Sequence, residues 1–222
     1  MAAVRLAAQG FSCALVARTQ KGLEETAKAC LAAGGEAQPF AVDLTDPDSG
    51  QRLLEASGRW RGPPQLLLNM AGAFHHGSLA GTPHEVCDHL LDINLRALIH
   101  LTRQVLPPMQ AAKGGLIINI ASVAGLRGIA EESVYAASKH GLVGFSHSLS
   151  RELGATGIKV SVICPGLVAT DMAEGRGAQL DRALSPEDVA DAIDFVVASS
   201  PRACPTQVVL EPLRSPWTAD TA

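Results

Sequence analysis

The sequence predicts an α/β fold, a mostly parallel, doubly wound sheet with helices on both faces. Three observations point there. Short β-rich runs alternate with helical stretches along the chain. Several runs are apolar without alternation, as at 65–69 and 116–120, the pattern of strands buried on both faces. The composition, 47% hydrophobic and 18% charged over 222 residues, supplies apolar surface for one sizeable core and excludes a disordered chain.

The Ala-rich stretch from Met1 to Gly10 reads as a helix, and Arg5 within it argues against a signal peptide. Cys13 to Val16 is a strand ending at Ala17-Arg18-Thr19. Gln20 to Ala33 is a helix with Gly34-Gly35 as its stop. A second strand, Ala37 to Val42, ends at Asp43, and Asp46 to Arg59 is again helical. Gln65 to Asn69 is the third strand. Pro83 to about Gln110 is a long helical region in which Leu91, Leu95, Leu98, Thr102, Val105 and Met109 recur at three and four. Gly115 to Ala121 is a strand, and Tyr135 to Leu153 is a helix with Leu142, Phe145, Leu149 and Leu153 on one face. Ile158 to Cys164 is a strand ended by Pro165-Gly166. Pro186 to Ser199 is a helix with Ser185 as N-cap and Pro186 at N1. Gln207 to Leu210 is the last strand. No repeat or linker divides the chain, so residues 1–222 read as one domain.

The formal charge of −4 gives no footprint for nucleic acid. The five cysteines are scattered without CxxC spacing, so neither a disulfide framework nor a metal site is indicated. A reducing, cytoplasmic setting is expected, with a mitochondrial or other targeting peptide upstream of Met1 left open. No apolar run reaches the ~18 residues of a membrane span.

Chemistry is concentrated at Tyr135 and Lys139. They stand at i and i+4, so they share a helix face. An ammonium beside a phenol favours its ionised form, which makes a proton donor and acceptor usable near neutral pH. Ser122, upstream, could hold the substrate oxygen that receives the proton.

Together with Asn69-Met70-Ala71-Gly72, Asp92-Ile93-Asn94, Asn119-Ile120-Ala121-Ser122 and the run from Pro165 to Asp171, these residues resemble the short-chain dehydrogenase/reductase family. The likeness runs from Met1 to about Leu210, and is greatest to its carbonyl reductases and 3-oxoacyl-(acyl-carrier-protein) reductases. It implies a Rossmann-like fold and NADPH-dependent reduction of a small-molecule ketone or aldehyde, a 3-oxoacyl thioester included. Tyr135 would be the general acid, Lys139 would lower its pKa and bond the nicotinamide ribose, Ser122 would polarise the carbonyl, and Asn94 would hold a proton-relay water. Pro165, Gly166, Val168 and Thr170 would meet the nicotinamide end. Asn69, Ala71 and Gly72 would line the cofactor's path, and Asp43 would hold the adenine. Arg18 with Thr19 would meet the 2′-phosphate of NADPH, where NAD-selective relatives carry an acid. Taken alone, Asp43 reads equally as a helix N-cap, Thr170 as a cap and Arg18 as a solvated charge. A homo-oligomer, dimer or tetramer, is expected from the apolar faces of the helices at Pro83 and Tyr135.

The family pattern breaks at the start. Met1 to Gly10 matches the helix that follows the family's glycine-rich loop, so the first strand and glycine loop are absent, roughly 15 to 20 residues. The expectation is an N-terminally truncated domain with two unpaired inner strand edges, or edges that close on each other, and weak NADPH binding. A rival expectation is a non-catalytic subunit that partners a full-length reductase. Met70 replaces an Asn of the family motif, and Leu210-Glu211-Pro212-Leu213 replaces its usual ending. The segment Met172 to Leu184, with Gly175 and Gly177, reads as a mobile lid with few large apolar residues to shape a pocket.

Overall fold

The computed structural model describes residues 1–174 and 177–217. The chain opens with α1 (Ala2–Ala8), β1 (Ser12–Ala17), α2 (Gln20–Ala32) and β2 (Glu36–Ala41). It continues through α3 (Ser49–Arg61), β3 (Leu66–Asn69), α4 (His84–Leu91) and α5 (Ala97–Ala111). The remainder is β4 (Gly115–Ile120), α6 (Ser133–Glu152), β5 (Ile158–Pro165), α7 (Pro186–Val197) and β6 (Gln207–Leu210).

Every strand pair is parallel. β1 pairs with β2, and β3, β4, β5 and β6 form a four-stranded sheet in that order. Among the described residues no backbone ladder joins β1 to β3. The two inner edges are therefore open rather than closed on each other. This corrects the expected burial of the third strand: Leu66, Leu67 and Leu68 are only half-buried, because β3 has a neighbour on one side alone. β4 and β5 are flanked on both sides, and Ile117, Ile118, Val162 and Ile163 are completely buried.

Strand alternation distributes the core between two helix layers. Ile117 and Val160 pack with Leu101, Val105 and Met109 of α5 and Leu149 of α6. Ile118 and Ile163 point the other way, onto Val189, Ile193 and Val196 of α7. Each such side chain contributes about 1.5–3 kcal/mol by leaving water.

The local stops are chemically explicit. Gly34 has φ +83°, and the N–H groups of Gly34 and Gly35 donate to Leu31 and Cys30 at 3.0 Å, closing α2 with a double turn. A Cβ on Gly35 would strike the backbone carbonyl of Ala7, so this glycine also lets α1 lie against the turn. Ser185 caps α7 reciprocally with Asp188, as its position before Pro186 predicts. Arg5 of α1 bridges Asp191 and Asp194 of α7 at 2.7 and 2.6 Å, and Gln9 adds a bond to Asp194.

The long helical region is interrupted. Asp92–Arg96 is a π-helical turn between α4 and α5. One inserted residue moves the apolar stripe by one position. Leu90 is therefore buried and Leu91 exposed, whereas the uninterrupted spacing assigned Leu91 to the core. Below the turn the predicted stripe holds, with Leu98, Thr102, Val105 and Met109 all buried.

An open edge leaves backbone amides without partners. In hydrogen–deuterium exchange, the amides of β1 and β3 that point into the gap should exchange faster than those of β4 and β5. Equal protection across all four strands would mean that the edges are paired.

Candidate active site

Three chain segments meet at the C-terminal ends of β3, β4 and β5. Their side chains line a cavity of about 580 Å³. α6 contributes Tyr135 and Lys139, 9% and 5% exposed. Lys139 Nζ stands 5.8 Å from the Tyr135 ring centroid and donates to the Ile120 carbonyl at 3.1 Å. Burial strips water from the amine and pushes its pKa down to about 8, with the Cys164 thiol opposing the shift. Cys164 is itself fully buried and pushed up to about 11 by burial, in keeping with a small core residue.

Ser122 follows β4 and caps a short helical turn, Val123–Gly125, where its Oγ accepts from Ala124 N at 3.1 Å. That turn lies directly on α6. A Cβ on Gly125 would come within 2.7 Å of the Lys139 carbonyl oxygen. Gly125 thus brings Ser122 to the wall that carries Tyr135. The sequence signal for this contact is the glycine three residues past Ser122. Phe74 was missed; it meets the Tyr135 ring edge-on, with centroids 5.0 Å apart at 82°.

Asn94 sits in the π turn with no exposed surface. Its Oδ1 accepts from Ala73 N at 2.8 Å, and its Nδ2 donates to Ala73 O and Ser138 Oγ. Ser138 Oγ in turn donates to the Tyr135 carbonyl at 2.7 Å. A Cβ on Gly72 would lie 2.9 Å from Asn94 Oδ1 and 3.6 Å from Lys139 Nζ, so the backbone passes closely over both.

Gly72, Ser122, Tyr135, Lys139, Pro165, Gly166, Val168 and Thr170 all line the cavity. Asn94 lies behind its wall. The Asn69 side chain does not line it; it is 2% exposed and donates to Thr102 Oγ1 and Asn119 Oδ1, tying β3 to α5 and β4. Ala71 packs into the core beside Leu98 and Leu142. Arg18, Thr19 and Asp43 are exposed at the ends of β1 and β2, away from this cavity. Asp43 accepts from Thr45 N and Oγ1, and these bonds lower its pKa, with the charge of Arg18 adding to them. It closes a turn and does not cap α3, whose N-cap is Asp48. Thr170 Oγ1 reaches the Val168 carbonyl only at 3.5 Å. His75 bonds Thr82 and His76 pairs with Glu131, and neither lines the cavity.

The expected lid is described only in part: Gly175 lies outside the described residues, while Met172 and Ala173 line the cavity. The C-terminal segment was unread by sequence as part of the site. Glu211, Pro212, Ser215, Pro216 and Trp217 form its outer side. Among the described residues no group of His, Cys, Asp and Glu could hold a metal ion, and no helix is long and apolar enough to cross a membrane.

A parallel α/β sheet with a cavity at the C-terminal ends of its strands, where Ser122, Tyr135 and Lys139 converge, defines a protein of the Rossmann-like α/β class. The short chain dehydrogenase family model matches residues 1–181, and the chain belongs to that family. It is 37% identical over 164 residues to the ketoacyl reductase HetN of Nostoc sp., covering 74% of this chain and 57% of HetN. It is 32% identical over 201 residues to the Homo sapiens 3-oxoacyl-(acyl-carrier-protein) reductase, covering 87% and 84%. A crystal structure of a metagenomic short-chain oxidoreductase in complex with NADP superposes with a TM-score of 0.83 at 30% identity, over 96% of this chain and 92% of that one. The chain thus spans less than two thirds of the length of HetN.

Asn94 has no room to yield. Gly72→Ala should lower stability by about 1–3 kcal/mol in urea unfolding, because the new methyl group displaces a buried amide that makes three hydrogen bonds. An unchanged midpoint would show that Asn94 is free to move.

Lys139 gives a pH signature. Its folded pKa of about 8 lies below the ordinary 10.5. Between those values the unfolded chain holds a proton on this amine that the folded chain has released, so the Lys139 contribution to stability rises with pH across that window, while the raised thiols of Cys13 and Cys164 act the other way above pH 9. The urea midpoint of the parent minus that of Lys139→Met should therefore rise with pH over the same range, and a flat difference would rule out the shift.

Proposed function

We propose that the chain is an NADPH-dependent reductase that converts a ketone or aldehyde to the alcohol. The observation that carries this reading is a buried amine, Lys139, beside a nearly buried phenol, Tyr135, on one cavity wall that also holds Ser122. The names of the relatives, a ketoacyl reductase and a 3-oxoacyl-(acyl-carrier-protein) reductase, support a keto group as the target.

The residues fit the nicotinamide half of the cofactor. Gly72, Gly166 and Val168 border the same cavity as Tyr135 and Lys139. Arg18 is exposed at the end of β1, where a guanidinium suits a phosphate, and this supports NADPH over NADH. Bound there, NADPH supplies the hydride. Tyr135 gives its phenolic proton to the carbonyl oxygen. Ser122 donates a hydrogen bond to that oxygen and draws charge onto it. The ammonium form of Lys139 favours the resulting phenolate, and Asn94 holds the Ala73 backbone and the Ser138 turn so that the wall keeps its shape. A homo-oligomer of single-domain copies belongs to the same proposal. The exposed large apolar side chains that would support it are Phe195 of α7 and Val209 of β6; on the described parts of α4, α5 and α6 only Leu91 is exposed.

The test is NADPH oxidation with a ketone panel, paired with calorimetric titration of NADPH and NADH. NADPH should bind more tightly than NADH. Tyr135→Phe should slow turnover by about 10²–10⁴-fold and leave NADPH binding unchanged. Turnover that survives this substitution would rule out the assigned proton donor.

A further inference from the structure

The outer side of the cavity is built by residues 211–217, beyond the last strand. This segment is fastened at three places. Gly166 N donates to the Leu210 carbonyl at 2.7 Å, and a Cβ on Gly166 would meet Pro212 at 2.9 Å, so the segment starts flush against the end of β5. Arg127, in the loop after Ser122, holds Glu211 with two parallel bonds of 2.8 and 3.1 Å. Gln179 N donates to the Pro216 carbonyl at 2.8 Å. Pro212 and Pro216 fix their own φ angles and stiffen the stretch between these points. Pro216 is buried, and Trp217 follows it on the cavity rim.

The chemistry of this end is apolar. Phe74, Ile129, Met172, Pro212, Pro216 and Trp217 all face the cavity. Among the described lining residues the charged side chains are Arg127, Glu132, Lys139 and Glu211. Lys139 is sunk beside Tyr135, and the Arg127 guanidinium is matched by the Glu211 carboxylate. Apart from these and the amino group of Met1 the described lining is uncharged, and it offers an apolar substrate a stiff, partly aromatic wall.

We propose that residues 211–217 form a strap that walls the substrate side of the cavity, that the Arg127–Glu211 pair is its clasp, and that the site takes a ketone with a bulky, uncharged, apolar body. This rests on the reductase reading for the chemistry, although the binding it describes does not need turnover. Arg127 and Glu211 are positioning residues, and Trp217 touches the substrate.

The chain has two tryptophans, Trp60 on α3 and Trp217. In a Trp60→Phe background, Trp217 emission reports the strap alone. 2-Decalone is titrated as the apolar ketone and acetoacetyl-coenzyme A as the charged one, and NADPH oxidation is followed in parallel with each. 2-Decalone should quench Trp217 saturably and bind more tightly than acetoacetyl-coenzyme A. Arg127→Leu should weaken decalone binding about fivefold, in line with a partly exposed bidentate pair. The exchanged pair Arg127→Glu with Glu211→Arg should restore it, which also guards against a misfolded single variant. No quenching, clasp variants that bind like the parent, no recovery in the exchanged pair, or tighter binding of acetoacetyl-coenzyme A would each overturn the strap. Clasp-dependent quenching without NADPH oxidation would keep the strap and remove the reductase reading.

Discussion

The buried amide of Asn94 joins the parts on which the site depends. One oxygen and one nitrogen hold both backbone groups of Ala73, at the turn after β3. The remaining N–H holds Ser138, whose hydroxyl holds the Tyr135 carbonyl. The joint is possible because the helix loosens into a π turn at Asp92–Arg96, which places Asn94 facing inward. An amide with no exposed surface is costly to leave unpaired. The position of the Tyr135 turn relative to the sheet is thus set by hydrogen bonds of an amide with no exposed surface.

A second buried chain runs beside the first. Asn69 bonds Thr102 and Asn119, and Asn119 bonds Ser146 at 2.8 Å. It ties β3, β4, α5 and α6 together, where the first chain ties the turn after β3 to the start of α6. The side of the sheet that carries the candidate site is therefore braced twice, although β3 itself lies at an open edge. On the opposite face the fastening is ionic. Arg5 and Gln9 hold α1 to α7, and Met1 and Ala2 thereby come to line the cavity.

The alternation of strands and helices was legible in the sequence because parallel strands are apolar throughout and their helices begin and end on recognisable residues. Gly34 after α2 and Ser185 before α7 acted as predicted, each for a local reason: a left-handed backbone and a free hydroxyl acceptor. Leu91 was misassigned, since nothing in a spacing of three and four reveals one inserted residue. Burial of β3 was overestimated, since burial depends on a neighbouring strand rather than on the strand's own residues. Asn69 belonged to a known motif, yet its side chain faces the interior, because the pleat and not the motif decides which way it points.

For the site, the sequence by itself determined which side chains share a helix face. The spacing of Tyr135 and Lys139 fixes a shared helix face, and the backbone needs nothing else to bring them together. What only the tertiary structure decided is everything that depends on close approach between distant segments. Gly125 on the Lys139 backbone, Gly72 over Asn94, and the segment 211–217 clasped by Arg127 across the cavity are contacts between residues far apart in the chain. The glycine contacts are selected by packing and the exposed Arg127–Glu211 pair by charge, and neither is written in local sequence.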